Sequence, residues 1–334
     1  MWTLAGQIER EGQSMSNLSI LYDEPQEAAW FRALHPDLAG AEEEAISVAE
    51  SRPGVQGVLA YDRPDIVLLD RGTPILVVEE TVEVPSGHNV GQRFARIAAS
   101  AECGVPFLYF GPYVAKKHGG DTAGPRYVNV RLFHALDIMV RSTKSAITTV
   151  NWPVDGSYEV RRDGSKDQDV REYMATFFDS YAKDGLRGVS IALLASNTHR
   201  RLIAERDAFV ANSIRQPEQY DRPPPSVMVL PRSEFRRRFG SSADRLSESV
   251  REIVLYKVGM NRIRSDPYTG MAMLYKYLYT VEHPSRALVL WFPNITSASW
   301  RRAAASGPRK DVRLYRITAA AILFSDLLLL TDQL

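Results

Sequence analysis

Two hydrophobic rhythms alternate along the chain, and together they predict an α/β protein. Apolar positions three and four apart predict helices; short apolar runs bounded by Gly, Pro and Asp predict buried strands. In the first half the spacing predicts a helix over 25–34, with Pro25 in its first turn, and a second over 40–51, stopped by Pro53-Gly54. Extended segments follow at 57–61, 65–69 and 75–82, the last two flanking the turn-forming DRGTP of residues 70–74. A helix over 89–103 carries Phe94, Ile97, Ala98 and Ala101 on one face and leads into a buried strand at 105–110. Residues 116–125 read as a polar loop, and 126–132 and 146–152 as extended.

The second half predicts helices over 166–183 and 190–213, a Pro-rich loop at 214–225, and strands at 227–230, 253–258 and 287–292. A helix is expected over 244–251. Another opens at Asp266-Pro267 and runs to 280, with Gly270 allowing a close helix contact. The most apolar run, 317–330, is interrupted by Ser325 and Asp326 and is too short to cross a bilayer, so it reads as a buried C-terminal helix. Residues 1–20 read as a loose leader. At roughly 100–200 residues per domain the length suggests two domains, 1–155 and 156–334, with the boundary in 153–166.

Composition narrows the function classes. A chain with 45% hydrophobic and 24% charged residues is an ordinary globular protein, neither fibrous nor wholly disordered. The formal net charge of +1 gives no global field toward nucleic acid. The basic set is lopsided, however: 33 of its 41 members are arginine, whose flat fork suits phosphates and guanine edges. The single cysteine, Cys103, excludes a disulfide framework and a cysteine-based zinc site. With no apolar signal core in MWTLAGQIEREGQS, a reducing, cytoplasmic setting and no membrane are expected. No P-loop, dinucleotide fingerprint, HExxH or GxSxG motif occurs.

The informative stretch is PDIVLLDRGTPILVVEETVE, residues 64–83. A turn centred on Gly72 sets residues equally far from it opposite each other, which puts Asp65 across from Glu79. Opposed side chains share a face, with Cβ atoms about 4.5–5.5 Å apart. Two carboxylates that close repel unless a cation lies between them, and oxygen-only ligands suit Mg²⁺. Strand alternation sets Thr81 on the face of Glu79 and turns Glu80 away, leaving the carbonyl of Glu80 as a further metal ligand.

The order of elements resembles the core of the PD-(D/E)xK nucleases, the restriction-endonuclease-like superfamily: helix, strand opening with Pro-Asp, hairpin, acidic strand end, helix, strand. The resemblance covers roughly residues 40–132. It implies a restriction-endonuclease-like core, with a central mixed sheet flanked by helices, plus a C-terminal α/β lobe. Asp65 matches the first metal-binding carboxylate and Glu79 the second, and Gln92 matches a glutamine recurring in the following helix. Thr81 stands where the family usually has lysine; Lys116, Lys117 or Arg63 could supply the missing cation, and Glu43, Glu44 or Glu50 a third carboxylate. The implied activity is Mg²⁺-dependent hydrolysis of double-stranded DNA by a type II restriction endonuclease acting as a homodimer. Asp65, Glu79, Thr81 and Gln92 are its candidate catalytic residues and Asp65, Glu79 and Glu80 its metal ligands. A catalytically silent DNA-binding protein on the same fold, or an interaction protein without a nucleic-acid role, are the alternatives.

Nucleic-acid contacts are expected from His88, Asn89 and Arg93 beside the acidic strand, from Lys116 and Lys117, and from the basic cluster Arg236, Arg237 and Arg238 behind Arg232. Tyr268, Tyr275 and Tyr279 share a helix face and read as core or dimer packing rather than base stacking.

Overall fold

In the computed structural model, residues 17–87, 89–116, 124–259, 268–304 and 310–333 are described. The first segments are β1 (Leu18–Tyr22), α1 (Pro25–Arg32), β2 (Glu42–Ala45) and the short α2 (Ile46–Ala49). α1 starts as read, with Pro25 at its first turn and Glu24 and Glu27 exchanging hydrogen bonds in a capping box. The expected helix over 40–51 survives only as α2. Its first half is the edge strand β2, which pairs parallel with β1. Residues 57–61 form turns rather than a strand.

The hairpin follows: β3 (Ile66–Asp70) and β4 (Thr73–Glu80), joined by Arg71 and Gly72. Both linking residues have positive φ, 48° and 78°, the signature of a tight two-residue turn that matches strand twist. Leu69 pairs with Pro74 and Asp70 with Thr73, so the turn centre lies between Arg71 and Gly72. A register shift beyond Leu68 then moves the pairing by one, and Ile66, Val67 and Leu68 face Val78, Val77 and Leu76. The bulge thereby restores the register expected from a turn centred on Gly72.

The chain continues through α3 (Asn89–Glu102), β5 (Phe107–Gly111), a ribbon of β6 (Val114–Lys116) and β7 (Pro125–Tyr127), α4 (Arg131–Thr143) and β8 (Ile147–Asn151). α4 replaces much of what the sequence left unassigned after 132; its buried Leu132, Phe133, Leu136 and Met139 have helical spacing. The main sheet runs β2-β1-β3-β4-β5-β8 and is mixed, antiparallel around β3 and parallel from β4 onward. One face is covered by α3 and α4. The other carries α5 (Asp167–Ala195), bent at Gly185 where φ is 62°, and α6 (Asn197–Ser213). Val170, Met174, Phe177 and Leu202 of these helices join the core formed by Ile66, Leu76 and Val78. The expected boundary at 153–166 thus precedes two helices that pack on the first sheet, and the change of sheet comes in the loop over 214–226.

The second sheet contains β9 (Val227–Pro231), β10 (Glu252–Lys257), β11 (Arg286–Phe292), β12 (Ala321–Phe324) and β13 (Leu328–Leu330), adjacent in that order. Helices α7 (Arg232–Phe239), α8 (Tyr268–Lys276), α9 (Ser297–Ala304) and α10 (Lys310–Thr318) interleave. Two expectations fail. Residues 317–330 are not a helix but the end of α10 and the hairpin β12–β13, because Ser325 and Asp326 make the turn and Asp326 accepts from Ser297. Residues 246–251 are not helical either; their carbonyls at 246, 247 and 250 instead accept from Arg232. The Asp266-Pro267 start falls outside the described residues.

The two sheets share one apolar core, in which α3 crosses α8 at close range and α4 packs on the helical turn over 277–281. A Cβ on Gly91 of α3 would lie 2.4 Å from the Met271 nitrogen, and one on Gly270 of α8 would lie 2.2 Å from the Gly91 oxygen. Only glycine permits this backbone approach, as the sequence anticipated for Gly270. Among the described residues no helix is long and apolar enough to cross a membrane.

Candidate functional site

At the open end of the β3–β4 hairpin the structure brings Asp65, Glu79 and Thr81 together. Val67 and Val77 lie in the core on the α3 face, and alternation carries Asp65 and Glu79 onto the same side. Asp65 is 8% exposed and Glu79 fully buried. The Oδ2 of Asp65 accepts from the backbone N–H of Glu80 at 2.7 Å, clamping the two strands where their ladder ends.

The cation between the carboxylates is a guanidinium. Arg96 Nη1 donates to Glu79 Oε1 and Oε2 at 2.7 and 2.9 Å and lies 3.6 Å from Asp65 Oδ1. Arg93, one turn earlier on α3, donates to Glu79 Oε1 through Nη1 and to Thr81 Oγ1 through Nη2 at 2.8 Å. The cation that meets Thr81 is thus Arg93. Arg63 instead forms an ion pair with Glu50, and Lys116 one with Glu159 at 3.1 Å; Lys117 lies outside the described residues. The sequence signal for Arg93 and Arg96 was their spacing of three on a helix, which sets both on the face toward β4.

Burial raises the Asp65 carboxyl above its ordinary range, opposed by the guanidinium groups of Arg96 and Arg93. Burial also presses the Arg93 guanidinium downward. A buried hydroxyl completes the site: Tyr109 OH on β5, whose residue pairs with Glu79 in the sheet, has no hydrogen-bond partner among the described residues. Gly111 makes room for it, since a Cβ there would lie 2.6 Å from Tyr109 OH and 2.8 Å from Thr81 Cγ2. Burial raises the Tyr109 hydroxyl well above its usual value.

The expected third carboxylates are engaged elsewhere. Glu43 pairs with Arg32, Glu44 with Arg52 and Glu50 with Arg63. The acid that the sequence missed is Glu27 of α1, whose carboxyl is raised to about 7 by burial and then by the negative charges of Asp65, Glu80 and Asp23. The Glu80 side chain leaves on the other face of β4. Burial and the Asp65 charge raise it to about 7 as well.

No known protein family, curated protein or solved structure matches the chain. What the site can do must therefore be read from its own chemistry. The donors are carboxylate oxygens without sulfur or imidazole, the set that a hard divalent ion takes. Arg96 stands in for such an ion by bridging both acids. No third metal-capable side chain joins the pair among the described residues.

The other expected residues divide. Asn89 and Lys116 line one open cleft of about 270 Å³ with Glu83, Ser86 and Arg126. Gln92 sits half-buried on α3 next to Arg93. His88 lies outside the described residues. Arg236, Arg237 and Arg238 are on α7 against the second sheet. Arg237 and Arg238 both pair with Glu234, and Arg236 lies 3.4 Å from Asp244. That cluster is largely neutralised by its own helix and its neighbour. Tyr275 and Tyr279 are buried and stacked at 6.1 Å, core packing as expected; the Tyr268 side chain is outside the described set.

Proposed function

We propose that the protein is a Mg²⁺-dependent endodeoxyribonuclease of the type II restriction class, acting on double-stranded DNA as a homodimer. The observation that supports this most is the convergence of Asp65 and Glu79 on one face at the open end of the hairpin, held around a positive charge. Asp65 and Glu79 would hold the ion, which when bound supplies charge to polarise the phosphate and to acidify a bound water.

The chain's own residues account for the rest. Arg93 is fixed at Thr81 by its bond to Oγ1. A guanidinium cannot serve as a base, so its part is to hold an anionic oxygen and the charge that develops there. The Tyr109 hydroxyl, kept protonated by burial, is a donor for the same anion. Asn89, Lys116 and Arg126 line a cleft suited to a neighbouring phosphate. Arg96 and a divalent ion are alternatives, since each neutralises the same pair.

Plasmid incubated with purified protein, with and without Mg²⁺, tests the reading. Nicking or linearisation should require the metal and fall at least about a hundredfold in Asp65→Asn and in Glu79→Gln, on the scale of losing a principal transition-state contact. Unchanged cutting in either variant removes this site. A second reading, a DNA-binding protein that does not cut, is favoured by Arg96 bonded to Glu79 and by Thr81 in place of lysine. DNA retention in a gel shift with no cleavage in Mg²⁺ or Mn²⁺ would select it.

A further inference from the structure

Glu80 leads to a second site. Consecutive residues at the end of β4 serve opposite faces: Glu79 meets α3, and Glu80 borders a cleft of about 240 Å³ on the α1 and α5 side. Three aromatic rings stack along that cleft. Trp30 lies 5.6 Å from Phe110 at 5°, and Phe110 lies 4.6 Å from Trp152 at 11°. Phe110 and Trp152 are buried, whereas Trp30 is half-exposed.

The opposite rim carries three basic residues and one acid, Asp167, whose Oδ1 accepts from the Trp30 indole N–H at 3.4 Å. Arg161 and Arg162 line the cleft and are exposed, and neither guanidinium has an ion-pair partner among the described residues. Arg162 stands over Trp152, its Cζ 5.9 Å from the ring centroid. Lys166 also lines the cleft, but its ammonium is held by Asp169 and Glu205 at 2.8 and 2.7 Å. The cleft therefore offers an aromatic wall, two exposed guanidinium groups, of which Arg162 lies over Trp152 and within electrostatic reach of Glu80, and the Glu80 carboxyl, which has no hydrogen-bond partner among the described residues.

We infer that this cleft binds a single nucleotide, its base against the half-exposed Trp30 end of the aromatic stack beside Glu80 and its phosphate on Arg161 and Arg162. Each simpler ligand leaves something unused. A bare anion would engage the arginines and be repelled by Glu80. An apolar ligand would engage the rings and leave two cations beside it. A nucleotide uses all three, since base faces stack on aromatic rings, phosphates take guanidinium forks and base-edge N–H groups need an acceptor. The nucleotide could be free or could belong to a DNA strand.

The test uses the full chain in EDTA, so that it does not depend on whether the protein cuts DNA. Intrinsic tryptophan fluorescence is followed while dGMP, dAMP, dCMP, TMP, a short single-stranded oligodeoxynucleotide or inorganic phosphate is added. Saturable quenching by at least one mononucleotide or by the oligonucleotide is expected, weakened at least about tenfold in the Arg161→Gln/Arg162→Gln double variant. Both arginines are exposed, so that variant should fold, and circular dichroism checks it. Trp30→Leu should remove much of the quenching. A response to the oligonucleotide alone assigns the base to DNA; a response to mononucleotides assigns a free ligand. Overturning results are quenching by phosphate alone equal to that by nucleotides, no saturable response to any nucleotide or to the oligonucleotide, or unchanged affinity in the double variant.

Discussion

The two sheets differ most in what they bury. Every charged side chain in the buried set, Asp65, Glu79, Asp169 and Arg206, belongs to the first sheet and its helices. Among the described residues the second sheet buries only Ser297, Thr318 and Thr331 of the polar and charged set, and its strands are otherwise lined by Leu255, Leu290, Phe292 and their neighbours. Taking a charge out of water costs several kcal/mol unless partners replace the lost hydration. The first sheet meets that cost with Arg93 and Arg96 on Glu79, and with Asp137 on Arg206 at 2.8 Å. Buried, paired and perturbed charges mark places where something other than packing is being arranged. The second sheet has no buried charge among the described residues and reads as scaffold.

The sharpest way to break this contrast is Glu79→Ala. It strands two partly buried guanidinium groups, so unfolding by urea should show a loss of about 3–5 kcal/mol. A loss under about 1 kcal/mol would mean that the cluster does not hold the hairpin. The matched change in the second sheet, Leu290→Ala, should cost about 2–5 kcal/mol through a cavity alone and should be insensitive to pH. Gly270→Ala tests the junction between the sheets. Its Cβ would meet the Gly91 carbonyl, and a cost of about 1–3 kcal/mol is expected, with loss of a single cooperative transition if the helices separate.

The pH dependence is smaller and has a definite sign. Glu27 and Glu80 are raised from 4.5 to about 7, so the folded state holds protons that the unfolded chain releases. Their contribution is fully present below about pH 4.5, declines as pH rises to about 7, and is level beyond it. Melting temperatures of a Glu27→Gln/Glu80→Gln variant should be flatter than wild type across that window; an unchanged slope would place the titration elsewhere. Least of all, Arg237→Ala should leave the unfolding midpoint unmoved, because its pair with Glu234 is open to solvent.

Local chemistry was legible where a short stretch carried the whole signal. The hairpin, α3, β5, β8, β9, β10 and β11 follow from apolar runs and turn residues within each segment. The Asp65–Glu79 pairing was reached with a turn centre off by half a residue, corrected by a bulge that no pattern announced. The 317–330 segment is ambiguous because two buried strands and a buried helix look alike in an apolar run, in which a Ser325-Asp326 turn is indistinguishable from a polar interruption.

By itself, then, the sequence determined the α/β character, the acidic hairpin and the glycine that lets two helices touch, since each depends on neighbours within a few residues. Only the tertiary structure decided which cations meet those acids, that Glu27 rather than a glutamate of residues 43–50 approaches Asp65, and that Trp30, Trp152, Arg161 and Arg162 line one cleft. Those meetings join residues tens of positions apart through the packing of α1, α3 and α5 on a common sheet, and no local propensity specifies them.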